Sequence, residues 1–399
     1  MLTLIAALAF AAWIYLVFFH GFFWRADQRL PADAPGPDPW PDIAAVIPAR
    51  DEAAVIGGAV ESLLRQDYAG EMRVVVVDDG SQDGTAEAAR AAAQGLEAAD
   101  RLTLVAAPPL PVGWSGKLWA VHNGIAAVPA NRHYLLLTDA DIVHAPDAVR
   151  RLVAKAESGP AGSGSAEGGP AKVGLDLVSL MVKLHCTSFA ERLLIPAFVF
   201  FFQKLYPFPW VNDRAQSTAG AAGGCMLVRR DALERAGGIA AIKGALIDDC
   251  ALAALLKKNG AIWLGLAEGS ASVRRYPRIG DVWRMAARTA YTQLRHSPLL
   301  VLGTVLGMAL LYLVPPLALV LCPFFGAWTA AAMGAAAYAL MLYAYRPTWE
   351  LYRGDDPAIL LLPAAGLLYA AMTASSALRH FRGKGGAWKG RTYAKPRAS

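Results

Sequence analysis

Two aspartates separated by one alanine end an apolar segment, HYLLLTDADIV, at residues 133–143. Because side chains alternate along an extended chain, Asp139 and Asp141 are expected on one face. Two carboxylates on one face, completed by water and phosphate oxygens, suit Mg²⁺ or Mn²⁺. For this motif taken alone, a solvated acidic turn at the end of a strand is the alternative.

A second acidic cluster, VDDGSQDGT at 77–85, follows a run of four valines. Asp78 or Asp79, at the tip of the predicted strand, can accept hydrogen bonds from a base or a ribose. The glycines permit a turn, and Thr85 can cap the next helix. A well-capped strand–turn–helix explains the serine and glycines, but it explains the adjacent aspartates less well.

A third cluster, Asp248 and Asp249, opens the apolar periodic segment GALIDDCALAALLKKNG at 244–260. Negative charge is favoured at the start of a helix, so one of the two acids is explained as a cap. The second is more than capping requires. Asp249 is therefore predicted to be a general base that accepts a proton from an attacking hydroxyl.

A basic helical face is predicted within DVWRMAARTAYTQLRHS at 281–297, with spacings of four, three and four for Arg284, Arg288, Tyr291 and Arg295. It could clamp a diphosphate leaving group or contact lipid head groups. The four clusters together provide a site for a nucleobase and its ribose, ligands for a cation on a diphosphate, a general base, and positively charged side chains beside the leaving group. A nucleotide-sugar needs all four, whereas a dinucleotide oxidoreductase is disfavoured because no GxGxxG follows the first strand.

Elements that could position these clusters alternate along residues 42–160. Strands are predicted at 43–49, in MRVVVVDDGS, LTLVAA and HYLLLTDAD, and helices in EAAVIGGAVESLLRQ and TAEAARAAAQGLEAA. This alternation predicts an α/β doubly wound domain, in which ligands bind beyond the carboxyl ends of the strands. Both aspartate-rich strand ends fall at that edge.

Composition predicts one soluble domain attached to membrane segments, because the 399 residues are 55% hydrophobic and the mean hydropathy is +0.34. The four cysteines are far apart, which indicates neither a zinc site nor a disulfide framework and fits a reduced compartment. A transmembrane helix is expected at 1–23, followed by a linker at 24–42. A flexible insertion is expected at 158–172, and interfacial helices at 189–208 and 281–297. Membrane segments are expected at 298–378, where the apolar runs are 299–321, 324–345 and 357–377. A buried core helix is the alternative for 189–208.

A basic tail at 379–399 carries seven Lys and Arg residues and no acid, against a net charge of +6 for the whole chain. It predicts a cytoplasmic anchor at the membrane surface rather than nucleic-acid binding, since no basic patch recurs in the soluble part. With the catalytic domain also in the cytoplasm, four spans would leave the tail outside. Either one late segment is re-entrant or the hairpin at 299–345 is counted wrongly.

The motifs IPARDE at 47–52, VDDGSQDGT, TDAD and DDCALA resemble, in this order and spacing, family 2 glycosyltransferases of the GT-A fold, over roughly residues 43–297. The segments LPVGWSGKLWA at 110–120 and WKGRTY at 388–393 are similar to membrane transferases that act on lipids. The nearest resemblance is to the hopanoid-biosynthesis-associated glycosyltransferases. It implies an α/β, Rossmann-like GT-A domain with N-terminal and C-terminal transmembrane helices.

The resemblance also implies roles for individual residues. Asp249 would be the base of an inverting single displacement, and a divalent cation would be held by Asp141 and Asp139. Donor-binding residues would be Asp79, Asp78, Lys117, Asp139, Glu52, Gln293 and Arg295. The last two stand where the family has a QxxRW-like element; here the spacing is shorter and the Trp is missing, which favours transfer of one sugar per acceptor.

The implied partners are a nucleotide-sugar donor, a lipid acceptor and the bilayer of the inner membrane, with no nucleic acid. Two other interpretations stay open. The acceptor could be a polyprenyl phosphate, a carotenoid or a ceramide-like lipid. The protein could instead be a non-catalytic membrane scaffold with a GT-A domain, although the intact acids at Asp79, Asp139, Asp141 and Asp249 argue against it.

Overall fold

The computed structural model describes residues 1–32, 35–159, 174–353, 356–382, 387–388 and 391–392. Most of the expected insertion at 158–172 and most of the expected tail at 379–399 lie outside the described residues. The chain divides into two compact units. The sheet unit comprises Asp27–His185, Trp210–Arg274 and Trp388–Ser399. The helical unit comprises Met1–Ala26, Cys186–Pro209 and Arg275–Ala387.

The strands of the sheet unit confirm the predicted α/β fold. They are β1 Ile43–Ala49, β2 Met72–Asp78, β3 Leu102–Ala106, β4 Tyr134–Thr138, β5 Ile142–His144, β6 Leu177–Lys183, β7 Cys225–Arg229 and β8 Ile262–Ser272. Within the described residues they form one sheet in the order β3-β2-β1-β4-β7-β6-β8-β5. The four strands predicted from the sequence are β1 to β4, and they pair in parallel.

The other half of the sheet was not predicted. Strand β7 runs antiparallel to both β4 and β6, β8 is parallel to β6, and β5 is antiparallel to β8. The sheet is therefore mixed, and the doubly wound prediction holds only for β1 to β4. The later strands lack a regular alternation with helices, which is the pattern on which that prediction rested.

The described helices, in chain order, are α1 Leu2–Phe18, α2 Ala53–Leu64, α3 Thr85–Gly95, α4 Gly116–Ala126, α5 Ala148–Ser158, α6 Phe189–Leu205, α7 Phe208–Asn212, α8 Arg230–Arg235, α9 Asp248–Lys257, α10 Ile279–Gln293, α11 Pro298–Met308, α12 Val314–Leu321, α13 Trp328–Arg353 and α14 Leu362–Phe381. Short 3₁₀ segments are Ala99–Arg101, Ile239–Ile242, Cys322–Phe325 and Pro357–Leu361. A π-helical segment, Ala309–Leu313, joins α11 to α12. Two short strands, β9 Ala387–Trp388 and β10 Arg391–Thr392, pair with each other.

Parallel pairing brings several strand ends to one edge of the sheet. Ala49 at the end of β1 is opposite Asp78, and Asp78 is opposite Ala106. Strand β1 is buried along its whole length and β4 likewise, as expected for strands covered on both faces. The polar residues that follow these strands are the first along the chain that can reach solvent, so they lie together at this edge of the sheet.

The helical unit has its own apolar core, which includes Trp13, Phe200, Tyr345 and Met372. Helix α6 contributes Leu194, Ala197 and Phe200 to this core. The helix predicted at 189–208 thus buries one face, as in the core-helix alternative, and its contact with a membrane stays a prediction. Both segments expected to be interfacial belong to the helical unit, although the sequence assigned them to the catalytic domain.

Two described helical stretches are long and apolar enough to cross a membrane, Pro298–Phe325 with 28 residues and Pro357–Phe381 with 25 residues. They contain the runs expected at 299–321 and 357–377. Helix α1 has 17 residues, fewer than the roughly 20 that a bilayer core requires. Helix α13 has 26 residues and begins at Trp328, so it covers most but not all of the run expected at 324–345, and Arg346, Glu350 and Arg353 lie in its last two turns.

Candidate active site

The first acid of the TDAD motif is paired with a lysine. Lys117 lies in the first turn of α4, and its Nζ is 2.9 Å from Oδ1 of Asp139. The same ammonium is 3.2 Å from Oδ2 of Asp248 at the start of α9. Lys117 therefore links two acidic motifs that are more than a hundred residues apart in the sequence.

Negative charge is in excess around this lysine. Burial opposes the charged form of Lys117, but Asp139, Asp248 and Asp249 outweigh it and raise its pKa. Burial also raises the pKa of Asp139; Lys117 opposes that shift, and Asp141 adds to it. A single ammonium thus does not balance the carboxylates that surround it.

Asp249 is held by two backbone donors. Its Oδ2 accepts a hydrogen bond from the N–H of Gly223 at 2.9 Å, and its Oδ1 accepts one from the N–H of Cys250 at 2.7 Å. Burial and the neighbouring Asp248 raise the pKa of Asp249 to about 6, although Lys117 opposes the shift. A carboxylate with this pKa is ionised at neutral pH and is a stronger base than an ordinary aspartate.

The second acid of the TDAD motif has different partners. Oδ2 of Asp141 accepts a hydrogen bond from Oγ of Ser272 at 2.6 Å and one from Nε of Arg274 at 3.2 Å. Nη2 of Arg274 also donates to both carboxylate oxygens of Glu52, at 2.7 and 2.8 Å. Glu52, predicted to bind the donor, is therefore buried in an ion pair in which both of its oxygens contact one nitrogen of Arg274.

The DDGS segment after β2 forms a tight turn. Oδ1 of Asp78 accepts hydrogen bonds from the backbone N–H of Ser81 at 2.9 Å and from its hydroxyl at 2.5 Å. Asp79 is buried, and its Oδ2 is 3.6 Å from Nη1 of Arg50. Asp78 therefore stabilises the turn, whereas Asp79 is the member of the pair held beside a cation.

A second set of bonds joins this turn to the loop that follows β1. Asp83 accepts hydrogen bonds from Oγ1 of Thr85 at 2.5 Å and from the N–H of Ala53 at 3.0 Å, and together they lower its pKa. The N–H of Glu52 donates to Oγ1 of Thr85 at 2.9 Å. The two loops are thereby fixed to each other at the carboxyl edge of the sheet.

A buried histidine supports the TDAD turn. Oγ1 of Thr138 donates to the carbonyl of Gly224 at 2.8 Å and lies 3.0 Å from Nε2 of His144, whose Nδ1 is 2.9 Å from Oγ of Ser270. Burial lowers the pKa of His144 to about 4, so the ring is neutral at pH 7. With the threonine proton directed at Gly224, these contacts assign the ring proton to Nε2 and make Nδ1 the acceptor.

The carboxylates at this edge fit a divalent cation. Carboxylate oxygens are the hard ligands that Mg²⁺ and Mn²⁺ prefer. Burial, and after it the neighbouring carboxylates, raises the pKa values of Asp139 and Asp249, so an added positive charge would stabilise their ionised forms. In the described part of the chain, no three His, Cys, Asp or Glu side chains are arranged as a metal site. An ion held by Asp139 and Asp141 would therefore take its other ligands from water and a substrate.

A small open pocket lies beside Lys117 and its two carboxylate partners. Polar residues on its wall are Lys117, Asp139 and Asp248, and apolar ones include Leu137 and Met226. Gly223 also lines it, and a Cβ at that position would lie 3.2 Å from Nζ of Lys117 and 3.4 Å from Oδ2 of Asp249. The absence of a side chain at Gly223 therefore keeps the space between these two groups open.

Two predicted site residues belong to the helical unit. Nε2 of Gln293 donates to the hydroxyl of Tyr206 at 2.8 Å, and Arg295 is exposed with a φ of 52°. Helix α10 ends at Gln293, so the helix expected over 281–297 is shorter than predicted at its C-terminal end. The face predicted for Arg284, Arg288, Tyr291 and Arg295 does not extend to Arg295, which lies beyond the end of α10; Tyr291 is buried, whereas the three arginines are exposed.

Sequence reasoning missed several residues that the fold brings to this edge. Arg274, Ser272 and His144 had no assigned part, Asp248 was treated as a cap, and Gly223 was not considered. One local signal was available for Arg274, since the doublet Arg274-Arg275 begins two residues after the end of strand β8. The other residues have no local signal, because only strand pairing makes them neighbours.

Relatives of the chain share part of its length. Residues 44–237 match the model of the family described as Glycosyl transferase family 2. An N-acetylglucosaminyltransferase of Rhizobium leguminosarum bv. viciae is 30% identical over 159 residues, which are 38% of this chain and 35% of that protein. Another N-acetylglucosaminyltransferase, from Mesorhizobium japonicum, is 31% identical over 136 residues, 33% of this chain and 29% of the relative. The chain thus spans about a third of the length of these curated relatives.

A solved structure is similar over nearly the whole chain. It is a mannosyltransferase from Pyrobaculum calidifontis in complex with GDP-Man and Mn²⁺, with a TM-score of 0.53 and 19% identity, and it covers 96% of this chain and 100% of its own. At this identity the similarity shows the fold alone. Residues 44–237, slightly less than half of the chain, therefore match a glycosyltransferase family 2 domain, the family that the acidic motifs resemble.

Proposed function

We propose that the protein is an inverting glycosyltransferase that moves one sugar from a nucleotide-sugar to a hydroxyl of a membrane lipid. The observation that carries this proposal is the grouping of Asp139, Asp248 and Asp249 around Lys117 at the carboxyl edge of the sheet. The match of residues 44–237 to a glycosyltransferase family supports it.

Asp249 is the proposed base. Its carboxylate takes the proton of the acceptor hydroxyl while the acceptor oxygen forms a bond to the anomeric carbon. The bond from that carbon to the diphosphate breaks on the opposite face, so the configuration inverts. The backbone N–H groups of Gly223 and Cys250 hold the carboxylate in place for this transfer.

Donor binding is proposed for Asp78, Asp79, Lys117, Asp139 and Glu52. Asp79 would accept hydrogen bonds from the nucleotide, and Lys117 would place its positive charge beside the diphosphate. Asp78 acts by shaping the turn, and Glu52 acts through its ion pair with Arg274. Gln293 and Arg295, which belong to the helical unit, are also proposed to bind the donor. That proposal rests only on the resemblance of the sequence to family 2 glycosyltransferases.

Asp139 and Asp141 are the proposed ligands of Mg²⁺ or Mn²⁺. When bound, such an ion supplies positive charge that stabilises the diphosphate as it leaves. The similar mannosyltransferase, solved with Mn²⁺ and GDP-Man, supports this choice.

An apolar acceptor is supported by the loop at 108–114, which comes just before α4. Val112 at its tip is fully exposed, and in the described part of the sheet unit only Val273 is another exposed large apolar residue. The loop is held in place because the N–H of Ser115 donates to the carbonyl of Lys243, on the segment that leads to the proposed base, at 2.8 Å. This position fits an element that meets the apolar body of an acceptor.

The membrane is the proposed source of that acceptor. Two stretches of the helical unit are long and apolar enough to cross a bilayer. We place the sheet unit in the cytoplasm, where nucleotide-sugars are made, and the helical unit in the inner membrane. A hopanoid is the acceptor that the sequence resemblance favours.

The test is a transfer assay on the full chain in detergent with Mn²⁺. Radiolabelled UDP-N-acetylglucosamine and GDP-mannose are offered with hopanoid, polyprenyl phosphate, carotenoid and ceramide fractions. We expect label in one lipid fraction, loss of transfer by at least about a hundredfold in Asp249→Asn, and comparable loss in Asp139→Asn. Asp231→Asn, an exposed carboxylate paired with Arg235, is the matched control and should transfer normally.

The outcomes separate the alternatives. Normal transfer by Asp249→Asn removes the base assignment, and normal metal dependence in Asp139→Asn removes the metal assignment. A wild-type chain that binds nucleotide-sugar but labels no lipid would favour the scaffold interpretation.

A further inference from the structure

Arg274 joins three segments of the sheet unit. It lies two residues after the end of β8, and its guanidinium reaches Glu52 in the loop after β1 and Asp141 in the turn after β4. Nη2 is 2.7 and 2.8 Å from the two oxygens of Glu52, and Nε is 3.2 Å from Oδ2 of Asp141. The guanidinium thus uses separate nitrogens for the two carboxylates.

The end of β8 adds two further bonds to the same aspartate. Oγ of Ser272 donates to Oδ2 of Asp141 at 2.6 Å, and the N–H of Val273 donates to the backbone carbonyl of Asp141 at 2.9 Å. Both side-chain bonds of Asp141 within the described residues therefore end on Oδ2. These two bonds set the orientation of the carboxylate and leave Oδ1 without a side-chain donor among the described residues.

Neutralising Glu52 does not by itself explain this arrangement. A buried carboxylate needs a cation, and Nη2 of Arg274, in contact with both oxygens of Glu52, meets that need. The contact from Nε to Asp141 is additional. A planar guanidinium directs separate N–H groups at two carboxylates, so it fixes their relative position more rigidly than the single nitrogen of a lysine ammonium does. Arg274 therefore sets the position of Asp141 relative to the loop after β1.

We infer that Arg274 is a positioning residue for the donor site: by holding Glu52 and Asp141 together it orients the second carboxylate of the TDAD motif toward the cation and diphosphate of the donor. This inference rests on the proposed function. It assigns no contact between Arg274 and the reacting atoms.

The test measures binding rather than turnover. Affinity for Mn²⁺ alone, and for UDP and GDP in the presence of Mn²⁺, is measured by calorimetry on the full chain in detergent. Arg274→Gln is expected to weaken both by about tenfold or more, the range seen when groups that orient metal ligands are removed. The affinities of Arg274→Lys should lie between those of Arg274→Gln and wild type, since lysine keeps the positive charge but lacks the planar guanidinium. Arg275→Gln, the exposed neighbouring arginine, is the matched control and should bind as wild type does.

A double variant separates positioning from charge neutralisation. Arg274→Gln leaves the buried Glu52 without its partner and should lower the unfolding temperature. Glu52→Gln with Arg274→Gln removes both charges, so the unfolding temperature should recover while the affinity for Mn²⁺ and nucleotide stays low. Recovery of both properties would show that Arg274 only neutralises Glu52, and the inference would be overturned.

The remaining outcomes are also decisive. If folded Arg274→Gln binds Mn²⁺ and nucleotide as tightly as wild type, the positioning role is wrong while the proposed function stands. If the wild-type chain binds neither UDP nor GDP with Mn²⁺, the proposed function fails, and the role of Arg274 fails with it.

Discussion

At the scale of single residues, the candidate site is an unbalanced group of charges. Lys117 is shared by Asp139 and Asp248. The pKa of Asp249 is raised by the charge of Asp248 and lowered by that of Lys117. Burying like charges together is unfavourable unless a ligand adds the missing positive charge. This imbalance of charge is the observation on which the proposed cation site rests.

The pH dependence of transfer should follow Asp249. A base works only when it is deprotonated, and its pKa is raised to about 6, so the transfer rate should rise with pH through about 6 and level off above it. Because the charge of Asp248 contributes to that raised pKa, Asp248→Asn should move the acidic limb to lower pH. The measurement is the rate at saturating substrates between pH 4.5 and 8. An acidic limb at the same pH in both proteins would contradict the assignment.

Substitution of Gly223 should impair transfer more than stability. The added methyl of Gly223→Ala would lie 3.2 Å from Nζ of Lys117, which must shift by a few tenths of an ångström, and in van der Waals contact with Oδ2 of Asp249 at 3.4 Å. We expect the transfer rate to fall by about tenfold, since small misplacements of reacting groups are costly, and the unfolding temperature to change little. In the control Gly57→Ala, the methyl would meet nothing closer than 3.9 Å. Equal rates in the two variants would contradict this account of the site.

At the scale of elements, helix α4 determines where Lys117 lies. Ser115 caps the helix by accepting a hydrogen bond from the N–H of Leu118 at 3.3 Å. Near the other end of the helix, Gly124 allows close contact with Val46 of β1 and Val77 of β2. The cap and the close packing fix both ends of the helix, so a lysine in its first turn has a defined position.

Gly124→Ala should therefore destabilise the sheet unit. A Cβ at this position would lie 2.5 Å from Cγ1 of Val46 and 2.7 Å from Cγ2 of Val77, so the helix must move away from the strands. We expect a loss of about 1–3 kcal/mol in the free energy of unfolding, as for other overpacked cores. The matched control is Gly95→Ala in α3, where nothing lies within 4 Å and alanine is the better helix former. Chemical denaturation of both variants in detergent measures the difference, and equal stability would contradict the packing argument.

At the scale of the whole molecule, exposed apolar side chains are divided unequally between the two units. Among the described residues of the sheet unit, Val112 and Val273 are the exposed large apolar side chains. The helical unit exposes many more, among them Leu299, Leu306 and Phe324. Exposed apolar surface on this scale marks a region that contacts something other than water.

The full chain should accordingly stay with membranes during fractionation. We expect it in the membrane pellet after washing with high salt and with alkaline carbonate, and in solution only after detergent is added. The salt wash is the control, because it releases proteins held only by basic residues at a lipid surface. Recovery of the chain in the salt supernatant would show that the apolar helices do not enter the bilayer.

The sequence by itself determined the first four strands, the helices that follow β1 and β2, and the acids at the strand ends; helix α4, which carries Lys117, was not predicted. These features depend on periodicity and on turn residues, which neighbouring positions encode. Strand β1 was predicted with its observed bounds, and the acidic residues after β2 and β4 were expected at the same edge.

Only the tertiary structure decided which residues meet at that edge. Arg274 reaches Asp141 across 133 positions, and Lys117 meets Asp248 through the packing of two helices on the sheet. The antiparallel insertion of β7 beside β4 brings Gly223 and Gly224 to the TDAD turn, and no local pattern specifies that pairing. Pairings between distant segments depend on the burial of the whole core, so they emerge only when the chain has folded.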